Sequence, residues 1–301
     1  MSVKEAGKLA LSDDILMKIE KPARYIGHEV NAVRKDKSKV SVRFAMCFPD
    51  VYEIGMSNLG MSILYHTMNS LDFVWCERVF APWGDMYEEM KKAGIPLYAL
   101  ESGDPLSAFD SLAFSVGYEM AYTTVLDMID MAGLPLRSAD RKDLLPIVWA
   151  GGTSAVNAEP MAPFIDLFVV GEGEEMNNEL LTLLRQAKLE HWSKHDFLVQ
   201  AAQIGGVYVP SLYEVSYHED GSIAAVKPTE GAPERVVKRI ISDLDKVPFP
   251  TDPIVPSTEV VHDRVNLELL SRTISFYACI LVCALVLLLS IALHNRRGAK
   301  A

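Results

Sequence analysis

The sequence predicts an α/β fold, a parallel sheet covered by helices on both faces, on three observations. Short, β-prone apolar runs alternate with helical stretches through residues 39–188. Three of the runs end at glycines, and the loop beyond the first carries two more. Each helical stretch is long enough to carry the chain back over the sheet, which is how parallel neighbours are joined.

The first run, residues 39–48 (KVSVRFAMCF), has the pattern of a buried strand. It stops at Pro49-Asp50, and Gly55, Asn58 and Gly60 punctuate the loop beyond. A helix is predicted over 59–69, with Leu64 and Met68 on one face. Residues 73–80 (FVWCERVF) read as a second strand, and 85–93 (DMYEEMKKA) as a helix closed by Gly94. Residues 95–100 (IPLYAL) are strand-like, 112–118 (LAFSVGY) form a strand running into a glycine, and 120–132 form a helix closed by Gly133. Residues 146–152 (PIVWAGG) and 166–174 (DLFVVGEGE) are further strands. The helix over 175–188 offers Leu180, Leu181, Leu183 and Leu184 for packing.

Past about residue 190 the character changes. Residues 205–228 alternate around an Asp220-Gly221 turn, as a hairpin does. Residues 247–256 (VPFPTDPIVP) behave as a proline-rich linker, and 258–269 as a strand-like lead. The expected organisation is a helical or extended lead over 1–38, beginning with a short amphipathic helix over 1–20. An α/β body over 39–190, a β-rich extension with linker over 191–269 and an apolar tail over 270–301 follow it.

Residues 274–293 of the tail carry no charge. At about 1.5 Å per residue they make roughly 30 Å of helix, enough to cross a bilayer core. Arg272 precedes them, and His294, Arg296, Arg297 and Lys300 follow. The segment reads as a membrane anchor or as a buried core helix, although buried helices are usually shorter and amphipathic.

Half of the residues are hydrophobic and 23% are charged, a globular composition. A net charge of −11 without a basic stripe argues against nucleic acid as partner. Four cysteines, Cys47, Cys76, Cys279 and Cys283, are too sparse for a disulfide framework, and the start shows no signal-peptide pattern, so a cytoplasmic body is expected.

In parallel sheets of this kind ligands bind beyond the C-terminal strand ends. Gly55 and Gly60, Gly117, Gly151 and Gly152, and Gly171 and Gly173 fall there. One glycine after a strand is a turn; the same feature at four successive ends points to a pocket for a small molecule. Glu172 and Glu174, flanking Gly173 before a helix, suit either a backbone cap or a bond to a ligand. The chain shows no G-x-G-x-x-G, G-x-x-x-x-G-K-[ST], H-E-x-x-H or G-x-S-x-G string, so dinucleotide, triphosphate, metalloprotease and serine hydrolase sites find no support.

Taken together, KPARYIGHEVNAV (21–33), FPDVYEIGMSNLG (48–60), FAPWGDM (80–86), residues 151–175 and VVHDRVNLEL (260–269) resemble the N-terminal region of cobalamin-binding-type radical SAM proteins. The resemblance is to the bacterial group in which a B12-binding-like domain precedes the radical SAM barrel, and it covers residues 15–269. It implies a Rossmann-like, flavodoxin-type, doubly wound parallel sheet. Pro49, Asp50, Gly55, Ser57, Asn58 and Gly60 would then face a corrin or its nucleotide tail. Gly117, Tyr118, Gly151, Gly152, Thr153, Glu172, Gly173 and Glu174 would line the other strand ends.

The chain departs from that pattern twice. The D-x-H-x-x-G string that gives cobalamin proteins a lower axial histidine is absent; the loop offers Asp50 and Tyr52 instead. The C-x3-C-x2-C string that holds a [4Fe–4S] cluster for S-adenosylmethionine does not follow residue 269. Cys279 and Cys283 have the first spacing, but the third position is Val286 and the run around them is apolar. The resemblance therefore implies a cofactor-binding domain cut off before its catalytic core, inactive alone in radical chemistry. A membrane-tethered binding module, and a docking domain for a radical SAM barrel supplied in trans, are the alternatives.

Overall fold

A computed structural model describes residues 11–243, 245 and 247–256. Its elements are α1 (Asp13–Leu16), β1 (Val42–Phe48), α2 (Tyr52–Met56), α3 (Leu59–Asn69), β2 (Val74–Phe80), α4 (Gly84–Ala93), β3 (Ser111–Ser115) and α5 (Tyr122–Met131). These are followed by β4 (Ile147–Gly151), β5 (Leu167–Val169), α6 (Gly173–Leu189), α7 (Lys194–Ala201), β6 (Val207–Tyr208), β7 (Tyr213–Tyr217) and β8 (Ile223–Pro228).

The main sheet has the order β2-β1-β3-β4-β5-β6. Its first five strands are parallel, and β6 runs antiparallel to β5. This is the flavodoxin-type order, in which the chain steps outward from β1 to β2 and then returns across β1 to β3. Because such crossovers are right-handed, the outward step and the return steps put their helices on opposite faces. Helices α3 and α6 share one face and pack on each other, with α3 also on β2 and α6 on β1. The switch in order falls between β1 and β3.

Strand β2 is an edge, yet all seven of its residues are buried. Its outer hydrogen-bonding side is closed by groups from elsewhere, which removes a template for pairing with another chain. The Asn69 carboxamide exchanges two 3.0 Å bonds with the Cys76 backbone. Leu100 N–H donates to Arg78 O at 2.9 Å, and the Glu101 carboxylate accepts from Arg78 N–H at 2.7 Å. Lys35 from the lead donates to the carbonyls of Asn69, Leu71 and Val74, capping the end of α3.

Several expectations change in this frame. Residues 95–100 are not a strand: Tyr98 makes only an isolated bridge to Pro105. They are apolar because they are buried over the β2 edge, and burial without period-2 pairing mimics a strand in sequence. The stretch 166–174 is strand only over β5, because Gly171 turns at φ 115° and Gly173 already opens α6. The helix expected over 120–132 begins at Tyr122 after one 3-10 turn. The hairpin is confined to β7 and β8, while β6 joins the main sheet, which thus continues past residue 190. Helix α7 was not expected.

The proline-rich linker is tied down by an Asn31–Pro253 O bond of 2.9 Å and by Val255 N–H on Val30 O. Of the helix expected over 1–20, only α1 falls among the described residues, which begin at 11. The lead over 258–269, the apolar tail 270–301 with its segment 274–293, Cys279 and Cys283 all lie outside them. Among the described residues no helix is long and apolar enough to cross a membrane.

Candidate functional site

The loop after β1 is built to hold strand ends together. Asp50 N–H folds back to Phe48 O at 2.8 Å, and Asp50 O accepts from Ala81, just past β2. The Asp50 carboxylate accepts from Val51 N–H at 2.7 Å and from the Tyr118 hydroxyl, just past β3, at 2.9 Å. One residue thus joins the ends of β1, β2 and β3, and its carboxylate pushes the Tyr118 phenol pKa up. Gly55 is buried against Phe80, where a Cβ would lie 2.2 Å from the ring. The Ser57 hydroxyl donates to Glu53 O at 2.7 Å. Asp50, Gly55 and Ser57 therefore shape the loop and pack α2.

Beside this loop, on the α3/α6 face, a cleft of about 340 Å³ opens at the strand ends. Its floor follows from the pleat, since alternate residues of a strand face one way. Phe44 and Met46 of β1, Ala113 and Ser115 of β3, and Trp149 and Gly151 of β4 line it. On β3 and β4 the side chains shrink toward the C-terminal end or stay small, from Trp149 to Gly151 and through Ala113, Ser115 and Gly117. Space therefore opens at the mouth while the depth stays filled. Met61, Leu64 and Met68 of α3 form one wall, and Gly173 and Asn177 of α6 contribute to the opposite one.

The mouth depends on glycine. Gly152 has φ 103° and ψ −176°, a region essentially closed to side chains, and a Cβ there would meet Val116 O at 2.5 Å. The Thr153 hydroxyl donates to Gly117 O at 2.5 Å, joining the ends of β3 and β4. Asn58 caps α3 by accepting from Met61 N–H at 3.0 Å. At the far rim, residues 239–241 return to the end of β5. Arg239 N–H donates to Val170 O at 2.9 Å, and Glu172 N–H donates to Arg239 O at 3.1 Å. The Glu172 carboxylate accepts from Ile241 N–H, so of its two expected roles it takes a backbone one, although not as a cap of α6. Glu174 sits in the first turn of α6, where a carboxylate suits the helix dipole.

Of the residues expected from sequence, the cleft brings together Asn58, Gly60, Gly117, Gly151, Gly152, Thr153 and Gly173. Pro49, Asp50, Gly55, Ser57, Tyr118, Glu172 and Glu174 are not among those lining it. Of the floor only Gly151 was expected from sequence, and Asn177 was not. Asn177 had a signal: it shares the buried stripe of α6 with Leu180, Leu181 and Leu184, at spacings of three, four and seven. A polar residue on an apolar stripe is the informative exception.

Residues 60–210 match the family described as radical SAM proteins, N-terminal. A search of curated proteins and a search of solved structures each return no match.

Proposed function

The chain belongs to the family of radical SAM proteins, N-terminal, and from that premise we propose that its α/β domain is the cofactor-holding unit of such a protein. It would take a corrinoid of the cobalamin type, with the nucleotide tail in the α3/α6 cleft and the corrin over the ends of β1 and β3. The observation that carries this reading is the position and make-up of the cleft. It lies beside the switch in strand order, where ligands of such sheets bind. Its volume falls within the range of small-molecule sites, and its apolar floor and glycine mouth suit a flat base entering edge first.

A corrinoid would bring a cobalt centre for methyl or radical transfer. The protein's part is to anchor the tail and screen it from water. Among the described residues no histidine lines the cleft, and after β1 Asp50 is bonded to Tyr118 and the Tyr52 hydroxyl donates to Glu29 at 3.0 Å. The described residues of this cleft would offer a corrinoid no histidine. Among the described residues no group of three or more His, Cys, Asp or Glu is set to hold a metal ion. In the full-length family, the [4Fe–4S] cluster and S-adenosylmethionine belong to the barrel that follows this region.

The test is to mix the purified full chain with hydroxocobalamin, desalt, and record the visible spectrum. Retained corrin that is lost in Ser115→Phe, with unchanged circular dichroism, supports the reading. No retention, or retention indifferent to Ser115→Phe, counts against it.

A docking role has one observation in its favour. Ile54, Trp83, Met120 and Val156, from the loops after β1 to β4, stand exposed on the rim of the strand ends. Such a collar suits a second protein surface, and a radical SAM barrel supplied in trans is the partner this reading names. Co-elution of a separately expressed barrel with this chain, abolished by Met120→Asp and Val156→Asp, tests it.

A further inference from the structure

Resting on the reading of the cleft as a nucleotide-tail site, we infer that the base it selects presents adjacent hydrogen-bond donor and acceptor groups, as adenine does, and is not a methylated benzimidazole. The inference begins from Asn177. Its residue is only 5% exposed, it lines the cleft, and its side chain makes no hydrogen bond among the described residues. Buried carboxamides are nearly always paired, so one left open inside a cleft marks where a ligand's polar groups belong.

Its placement is specific. A Cβ on Gly173 would lie 2.8 Å from Asn177 Nδ2 and 3.4 Å from Leu64 Cδ2, so glycine at 173 leaves the room the carboxamide occupies. From the floor, Ser115 adds a hydroxyl that likewise has no partner among the described residues. The surrounding lining is apolar, with Phe44 and Trp149 in tilted contact at 5.4 Å between ring centroids beneath the mouth.

Two classes of flat base would fill this space, and only one satisfies it. A dimethylbenzimidazole has a single ring-nitrogen acceptor once joined to ribose. It would leave the Asn177 carbonyl oxygen unpaired. Adenine offers an amino donor beside a ring-nitrogen acceptor, the pair that an asparagine carboxamide meets with two bonds. A site built for such bonds rejects an analogue lacking them far more strongly than an apolar pocket rejects a change of shape. The same edge occurs on an adenine-tailed corrinoid and on a free adenine nucleoside.

The test measures relative affinities on the full chain by ligand-observed NMR. The probes are adenosine, the ribonucleoside of dimethylbenzimidazole, and corrinoids carrying either base. Adenine preferred by roughly tenfold or more, with the preference abolished in Asn177→Leu and reduced in Ser115→Ala, is the expected result. Leucine suits the apolar stripe of α6, and circular dichroism confirms folding of each variant. Equal affinity, a preference for dimethylbenzimidazole, or a preference untouched by Asn177→Leu overturns the inference. Corrinoids that bind without base preference overturn this inference and leave the corrinoid reading intact. Adenosine preferred over its counterpart while no corrinoid binds supports the adenine edge and overturns the corrinoid reading. Binding by none of the probes overturns both.

Discussion

Glu77 is fully buried in the middle of β2, with its carboxylate on the Arg43 guanidinium and on Ser102 N–H at 3.0 Å. Asp104 shares Arg43 at 2.6 Å and also takes Lys37. Burial dominates over these cations and pushes the Glu77 carboxyl up from 4.5 to about 7. The folded state therefore keeps this proton to higher pH than the unfolded chain does. Its stabilising contribution is complete below about 4.5 and is lost as pH rises through about 7. Glu77→Gln is expected to remove that part of the slope, read as urea midpoints across this window; an unchanged slope would show that the proton is held elsewhere. At this scale the sequence was partly legible. Glycines at strand ends announce themselves, because few residues can replace them. Glu77 did not, because a polar residue inside an apolar run looks the same whether it faces solvent, an ion pair or a cleft; Asn177 stood out on its stripe, but the stripe alone does not say what it faces.

Helix α7 shows what local chemistry determines. Ser193 accepts from Asp196 N–H, and the Asp196 carboxylate accepts in return from Ser193 N–H, a complete capping box. Ser193→Ala is expected to destabilise the domain by about 1 kcal/mol, measured by thermal unfolding; no loss would mean that packing of Phe197 and Leu198 alone holds the helix. The S-x-x-D string was present in the sequence, but the neighbouring Lys194, buried with its ammonium 2.6 Å from Asp166, hid the helix's inner face. Elements with regular periods, α3, α4 and α6, were legible to within about two residues. Residues 95–100 were not, because apolar chain covering a sheet edge has the composition of a strand without its pairing. The cleft floor failed for a related reason: runs buried on both faces do not say which face is open.

Over the whole molecule, a buried cation of the sheet pairs with the N-terminal lead. Arg78 meets Glu29 at 3.0 Å and Glu101 at 2.6 Å, and its guanidinium lies 5.6 Å from the Tyr65 ring. These carboxylates hold the Arg78 pKa up against its burial. Arg78→Met would leave two carboxylates buried without their cation, and a loss of about 3–5 kcal/mol is expected in denaturant unfolding. A loss below about 1 kcal/mol would show that this ion pair does not hold the lead to the sheet. No pairing of this reach, from residue 29 to residue 101, was legible in the sequence. The strand order was reached only through resemblance, because crossovers leave no periodic trace.

The central claim is that the cleft on the α3/α6 face holds the ligand. Hydrogen exchange of the full chain with and without saturating hydroxocobalamin tests it most directly. The account predicts added protection confined to segments 57–64, 113–118, 149–154 and 169–177, with α4 and α7 unchanged. Protection concentrated elsewhere, or none at saturation, would contradict it.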